Sequence, residues 1–184
     1  MVLKNVEGII LTDEEKAKKK YVSEMQSWIS QYEWDYFVTL TYKHPVKDRI
    51  KVTHHVEEFS NRLSRKSFGS RSKKRVCTIS VIEHHWASDS LHVHMLIKDP
   101  QPSIANDARQ NSFNIRDAVI TSWLESSSSS GNPALSSDGD EWLKGIDDIN
   151  RVVEYMLKEF NPHASELVSP VVWDQACLDG RRDN

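Results

Sequence analysis

The stretch Leu91-His92-Val93-His94-Met95-Leu96-Ile97-Lys98 decides how this chain is read. Its residues alternate with a period of two, the pattern of a strand, which puts Leu91, Val93, Met95 and Ile97 on one face. His92 and His94 share the opposite face and point the same way from adjacent pleats. Two imidazoles at that spacing can close on one metal ion. Because the partner face is fully apolar, the histidine face is not needed for the main core.

Working outward, residues 76–83 read as another strand ending at Glu83, and the short connection 84–90 predicts a hairpin between the two. Residues 36–43 alternate as a third strand. Tyr36, Val38, Leu40 and Tyr42 fall on one face, and Phe37, Thr39, Thr41 and Lys43 on the other, with His44-Pro45 as the stop. A helix over about 53–66 carries the stripe Val52, Val56, Phe59 and Leu63. Residues 13–31 predict a helix with Val22, Met25 and Ile29 at helical spacing, and Asp13, Glu14 and Glu15 suit the positive end of its dipole.

After Asp99-Pro100 the pattern loosens. Residues 113–124 predict a helix with Ile115, Val119 and Trp123 on one side, and the Ser/Gly/Pro-rich stretch 126–140 predicts a mobile loop. Residues 141–146 are a candidate fourth strand. A last helix runs over about 148–160, with Asp147 or Asp148 as N-cap and Asn161-Pro162 as its end. Val171, Val172 and Trp173 in the tail could dock on the domain. The order α-β-α-β-β-α-β-α predicts an α+β fold, an antiparallel sheet with flanking helices in a ferredoxin-like split βαβ arrangement.

A chain of 184 residues with 38% hydrophobic and 28% charged residues suits a single soluble domain over 1–184, its core about 34–162, with a helix in 1–33 and a tail in 163–184. No apolar run approaches the roughly 18 residues of a membrane helix. The N-terminus mixes Lys4, Glu7, Asp13 and Glu14 with a short apolar patch, unlike a secretory signal. Cys77 and Cys177 make neither a disulfide framework nor a thiolate metal site, and a reducing interior is the simplest compartment. The net charge of −3 gives no support to a large non-specific DNA surface. Within residues 62–75, however, Arg62, Arg65, Lys66, Arg71, Lys73, Lys74 and Arg75 occur with no acidic residue. That run is either a solvated loop or a phosphate-contacting patch.

Glu83 supplies a hard oxygen beside His92 and His94. Two nitrogens and one oxygen leave coordination positions open, as a catalytic ion needs. Mg²⁺ or Mn²⁺ suits a phosphate substrate, and the imidazoles favour Mn²⁺. His84 or His85 could replace Glu83 as third ligand, or the pair could simply be a polar hairpin tip. On the last helix, Ile149, Val153, Met156 and Phe160 form the apolar stripe, and Tyr155 lies well off it. Lys158 shares the Tyr155 face at i+3 and Arg151 at i−4. A tyrosine with a pKa near 10 is a poor nucleophile unless its phenolate is stabilised, and cations on its own face could do that.

Three motifs in chain order resemble the HUH endonucleases, specifically the single-tyrosine replication initiators (Rep proteins) of rolling-circle elements. They are Phe37-Val38-Thr39-Leu40-Thr41-Tyr42, His92-Val93-His94, and Tyr155-Met156-Leu157-Lys158, with Glu83 where the family's carboxylate ligand stands. The resemblance spans roughly residues 36–160. It implies an endonuclease and strand transferase in which a divalent ion held by Glu83, His92 and His94 polarises the scissile phosphate of single-stranded DNA. Tyr155 would attack, leaving a 5′-phosphotyrosine link and a free 3′-OH, with Lys158 positioning or neutralising the phosphate. Thr39, Thr41, Lys43, Arg71, Lys73, Lys74, Arg75 and Arg151 would contact the DNA, an origin strand or hairpin. The chain has no Gly-x-x-x-x-Gly-Lys-Ser/Thr segment, so the resemblance implies a separate helicase and a host polymerase as partners. The expected location is the cytoplasm of a prokaryotic host, or the nucleus for a eukaryotic virus. A transposase or relaxase would use the same chemistry. A non-catalytic nucleic-acid-binding module on the same sheet would expect exposed aromatics on the central strands, where only Phe37 occurs. A structural metal domain would need a closed ligand set.

Overall fold

The structure is a computed structural model and describes residues 12–85, 89–135, 142–158 and 171–173. Helix starts are written in capping residues. α1 (Asp13–Ile29) begins with a reciprocal box: the Thr12 hydroxyl accepts from Glu15 N, and the Glu15 carboxylate accepts from Thr12 N. α2 (Arg49–Phe68) starts at Asp48, whose carboxylate accepts from Ile50 N and Lys51 N, and stops at Gly69 with φ +94°. α3 (Asp107–Ser112) and α4 (Ile115–Ser126) are capped by Asn106 and Asn114. α5 (Ile149–Met156) is capped by Asp148, one of the two N-caps expected.

The strands are β1 (Tyr36–Leu40), β2 (Thr78–His85), β3 (Ser90–Ile97), β4 (Leu143–Gly145) and β5 (Val171–Trp173). They form one sheet in the order β4-β1-β3-β2-β5, and every pairing is antiparallel. β3 lies between β1 and β2, and β1 lies between β4 and β3. The units β1-α2-β2 and β3-α4-β4 are therefore two interleaved split βαβ units, the expected ferredoxin-like arrangement.

The alternation read from the sequence sorts the two faces. Val38 and Leu40 join Leu91, Val93, Met95 and Ile97 in one core, closed by Val52, Val56, Phe59 and Leu63 of α2 and by Val119 and Trp123 of α4. Phe59 and Trp123 meet edge to face, centroids 6.1 Å apart. Each such fully buried apolar side chain contributes about 1.5–3 kcal/mol.

The histidine face departs from its expectation, because it carries a second core. Ile79, Val81 and Leu96 pack there against Ile29 and Trp34 and against Val153, Met156 and Leu157, so β3 is buried along its whole length. The reason is that α1 and α5 both cover this side. Gln26 Nε2 donates to the Asn150 carbonyl at 3.0 Å near one end of α5, and Lys18 Nζ donates to the Lys158 carbonyl just past the other.

Three further differences have local causes. The Ser-rich segment is not a mobile loop over its first half. Ser130, Gly131 and Pro133 are buried, Ser130 forms a β-bridge with Tyr42, and the serine hydroxyls bind nearby groups, as in Ser126 Oγ to the Trp123 carbonyl at 2.7 Å. Residues 136–141 lie outside the described residues. α5 ends at Met156, where the sequence predicted helix to 160; Phe160 lies outside the described residues. The tail triplet Val171–Trp173 docks as a strand on the β2 edge, Val81 pairing with Val171. Among the described residues no helix is long and apolar enough to cross a membrane.

Candidate metal and nucleophile site

Register builds the site. Glu83 of β2 sits opposite His92 of β3, and His94 sits opposite Thr39 of β1. The face that β3 gives to Leu96 within the second core continues toward the β2–β3 hairpin as His94 and His92. Both imidazoles and the carboxylate are buried, Glu83 at 3% and His94 at 2% exposure. His92 Nε2 and His94 Nε2 are 3.0 Å apart, and Glu83 Oε2 is 3.4 Å from the first and 3.2 Å from the second. Ligand atoms about 2.1 Å from one ion stand about 3.0 Å apart when cis in octahedral geometry and about 3.4 Å apart in tetrahedral geometry. The three separations fall within that range.

The surroundings fit an ion as well. Among the described residues neither Glu83 oxygen completes a well-directed hydrogen bond, although Oε2 has the two imidazoles and Lys158 Nζ, at 3.5 Å, beside it. A buried carboxylate in that position needs a cation. Burial pushes the Glu83 carboxyl up, but the imidazoles of His92 and His94 and the Lys158 ammonium outweigh it and hold it at about 2. Burial pushes His94 down, favouring the neutral ring that a metal ligand requires. Glu83, His92 and His94 therefore form a group able to hold a metal ion. His84 instead points at Asp89, Nε2 to Oδ1 3.2 Å, and is exposed. The side chain of His85 lies outside the described residues.

Two residues behind the ligands were not assigned this place from the sequence. Thr39 Oγ1 lies 3.1 Å from His94 Nδ1, so a proton on Nδ1 bound by Thr39 leaves the Nε2 lone pair facing Glu83 and His92. Phe37 stacks on the His94 ring, centroids 5.3 Å apart and planes 25° apart. The alternation of β1 placed Phe37 and Thr39 on one face; what it lacked was the register that sets Thr39 against His94.

The apolar side of α5 is buried at Val153 and Met156, and Tyr155 emerges from the opposite side, 47% exposed. Its ring lies over the site, edge-on to His94 at 5.3 Å and to Phe37 at 5.9 Å between centroids. Lys158 Nζ stands 4.0 Å from the centre of the Tyr155 ring while also approaching Glu83. Nucleophile candidate, ammonium and metal-ligating group are thus brought together.

The residues expected to touch DNA are dispersed. Thr39 turns its hydroxyl to His94. Thr41 is half-buried, and its carbonyl accepts from Trp123 Nε1 at 2.8 Å and Gly131 N at 3.0 Å. Lys43 and Arg151 are exposed. Arg62 pairs with Glu58 and Glu125, and Lys66 with Glu125, so part of the basic run is neutralised by acidic residues from α2 itself and α4. Arg71, Lys73 and Arg75 are exposed and Lys74 half-buried. They precede Thr78, at the end of β2 remote from Glu83. Five residues of strand separate Thr78 from Glu83, about 17 Å.

Comparison with curated proteins and with solved structures finds no match. A family model, that of the replication-associated protein ORF2, matches residues 35–163. That range holds β1, Glu83, the His92–His94 strand and the Tyr155–Lys158 turn, in agreement with the HUH resemblance of those motifs. With the match covering well over half of the sequence, the chain belongs to the replication-associated protein ORF2 family.

Proposed function

We propose that this protein nicks and rejoins single-stranded DNA through Tyr155 and so initiates rolling-circle replication of a plasmid or virus. The observation that carries the reading is the placement of Lys158 between the Tyr155 ring and Glu83, directly beside two imidazoles. A tyrosine needs its phenolate stabilised before it attacks at neutral pH, and an ammonium against its ring supplies that.

Glu83, His92 and His94 would hold the divalent ion, Mn²⁺ or Mg²⁺, which supplies Lewis-acid polarisation of the scissile phosphate. Thr39 and Phe37 hold His94 in its orientation. Tyr155 Oη attacks the phosphorus as the bond to the 3′ oxygen breaks. The phenolic proton is given up to solvent, and the departing 3′ oxygen takes one to become a 3′-OH. The 5′ phosphate stays on Tyr155. In the return step a 3′-OH attacks the same phosphorus, and the phenol leaves with a proton. The 3′-OH primes a host polymerase, and a separate helicase opens the duplex. Arg71, Lys73, Lys74 and Arg75 lie too far along β2 to touch the scissile phosphate and would meet the backbone of flanking DNA; Lys43 and Arg151 are the exposed cations of this set outside that run.

The experiment is incubation with single-stranded and hairpin DNA of the replicon that carries the gene, in Mn²⁺. The expected products are a protein bound to the 5′ phosphate and a 3′ end that a polymerase extends. Cleavage that leaves two free ends, or none on any strand, would contradict the reading.

A further inference from the structure

Lys158 lies where two parts of the site meet. Its Nζ is 3.5 Å from Glu83 Oε2 and 4.0 Å from the centre of the Tyr155 ring. Its main chain is fixed separately. Lys18 of α1 donates to the Lys158 carbonyl, and Leu157 N and Lys158 N close on the Val153 and Tyr155 carbonyls. The side chain is 41% exposed, whereas that of Glu83 is 2% exposed. A fixed backbone thus carries a mobile type of side chain, whose charge reaches a carboxylate that cannot reach water.

Glu83 Oε2 is also the oxygen that faces both imidazole nitrogens. A divalent ion among these three atoms would share Oε2 with the ammonium, and two cations on one oxygen repel strongly where water is excluded. The ammonium has a second place to go. Over the Tyr155 ring it would face the phosphate that the proposed reaction brings there, and ammonium–phosphate pairs are strong charge-assisted contacts.

We propose that Lys158 is the resident counter-cation of the metal site, displaced from Glu83 by the divalent ion and received by the DNA phosphate beside Tyr155. Metal and single-stranded DNA then bind cooperatively through one side chain. No covalent bond changes and the lysine keeps its proton; one ion pair is exchanged for another. Because linkage is reciprocal, whatever factor DNA adds to metal affinity the metal adds to DNA affinity. The inference rests on the nicking reading for its substrate, while the competition with metal stands on the Glu83–Lys158 geometry.

The test measures Mn²⁺ affinity by electron paramagnetic resonance, with and without a single-stranded oligonucleotide. The background is Tyr155→Phe, which keeps the ring and cannot cleave. Adding Lys158→Met, or Lys158→Gln as a second variant, should tighten Mn²⁺ on the order of fivefold or more without DNA. The further tightening caused by the oligonucleotide should be smaller than in Tyr155→Phe alone. Weaker or unchanged Mn²⁺ affinity in both lysine variants overturns the proposal, and so does an undiminished oligonucleotide effect. Failure of the wild-type chain to form a covalent adduct would instead count against the nicking reading and leave the Mn²⁺ comparison standing.

Discussion

The Thr39 hydroxyl lies 3.1 Å from His94 Nδ1, across the β1–β3 ladder that sets the two residues opposite each other. Such a partner fixes both the tautomer and the orientation of a metal-ligating imidazole, and its loss typically costs 10- to 100-fold in metal affinity. Thr39→Val keeps the shape and removes the bond. It should weaken Mn²⁺ binding about tenfold and lower stability by about 1 kcal/mol, with Thr39→Ser restoring most of both. Mn²⁺ titration and urea unfolding measure the two effects. Equal metal affinity in Thr39→Val would remove Thr39 from the site.

Glu83 makes the metal-free protein acid-sensitive over a defined range. Its carboxyl is held at about 2 against an ordinary 4.5. A depressed folded pKa means that the unfolded chain takes the proton first. The stabilisation is therefore complete above about 4.5 and is lost as pH falls toward 2. His94, held below its ordinary 6.5 by burial, adds an earlier loss as pH drops below that value. Urea unfolding from pH 6 to pH 2 should show a steep acid limb that Glu83→Gln flattens below pH 4.5. The same slope in both proteins would show that the carboxylate is not held as described.

Much of this arrangement was legible in period alone. The alternation of residues 91–98 separated His92 and His94 from the core face, and the stripe on the last helix left Tyr155 and Lys158 outside it. The element order was enough for the split βαβ arrangement. What the sequence did not carry was pairing between distant segments. Nothing local says that Thr39 faces His94 or that Lys158 reaches Glu83, because those contacts are set by strand register and by how α5 lies on the sheet. The second core was missed for the same reason: two histidines make a strand face look polar, while Ile79, Val81 and Leu96 beside them pack under α1 and α5. The Ser-rich segment misled through composition, since its hydroxyls bind local backbone groups.

Gly131 fixes that segment against the end of β1. A Cβ there would stand 3.0 Å from Lys43 N, 3.2 Å from the Tyr42 carbonyl carbon and 3.3 Å from the Thr41 carbonyl oxygen. All three are main-chain atoms that no rotamer change can move. Gly131→Ala should destabilise the fold by about 1–3 kcal/mol, read as a lower midpoint in thermal unfolding. An unchanged midpoint would mean that 127–131 gives way freely.

The basic run should bind DNA without touching its chemistry. Arg71 and Lys73 are exposed and lie at the far end of β2 from Glu83. Replacing both with Gln should weaken single-stranded DNA binding irrespective of sequence. It should also flatten the log–log salt slope by about 0.7 for each phosphate that is no longer neutralised. Single-turnover cleavage at saturating DNA should stay at the wild-type rate. An unchanged salt slope would make these residues a solvated loop.

Tyr155→Phe removes one oxygen from a half-exposed ring and leaves the packing of that ring with His94, Phe37 and Lys158 in place. Fold, Mn²⁺ affinity and single-stranded DNA affinity should therefore change little. Wild-type and variant proteins incubated with the same cleavable strand and Mn²⁺ can be compared on a denaturing gel. The account predicts a covalent protein–DNA adduct from the wild type, and neither adduct nor nick from Tyr155→Phe. An adduct that persists in the variant would contradict it and assign the nucleophile to another residue, with Tyr42 or Tyr32 the first to replace.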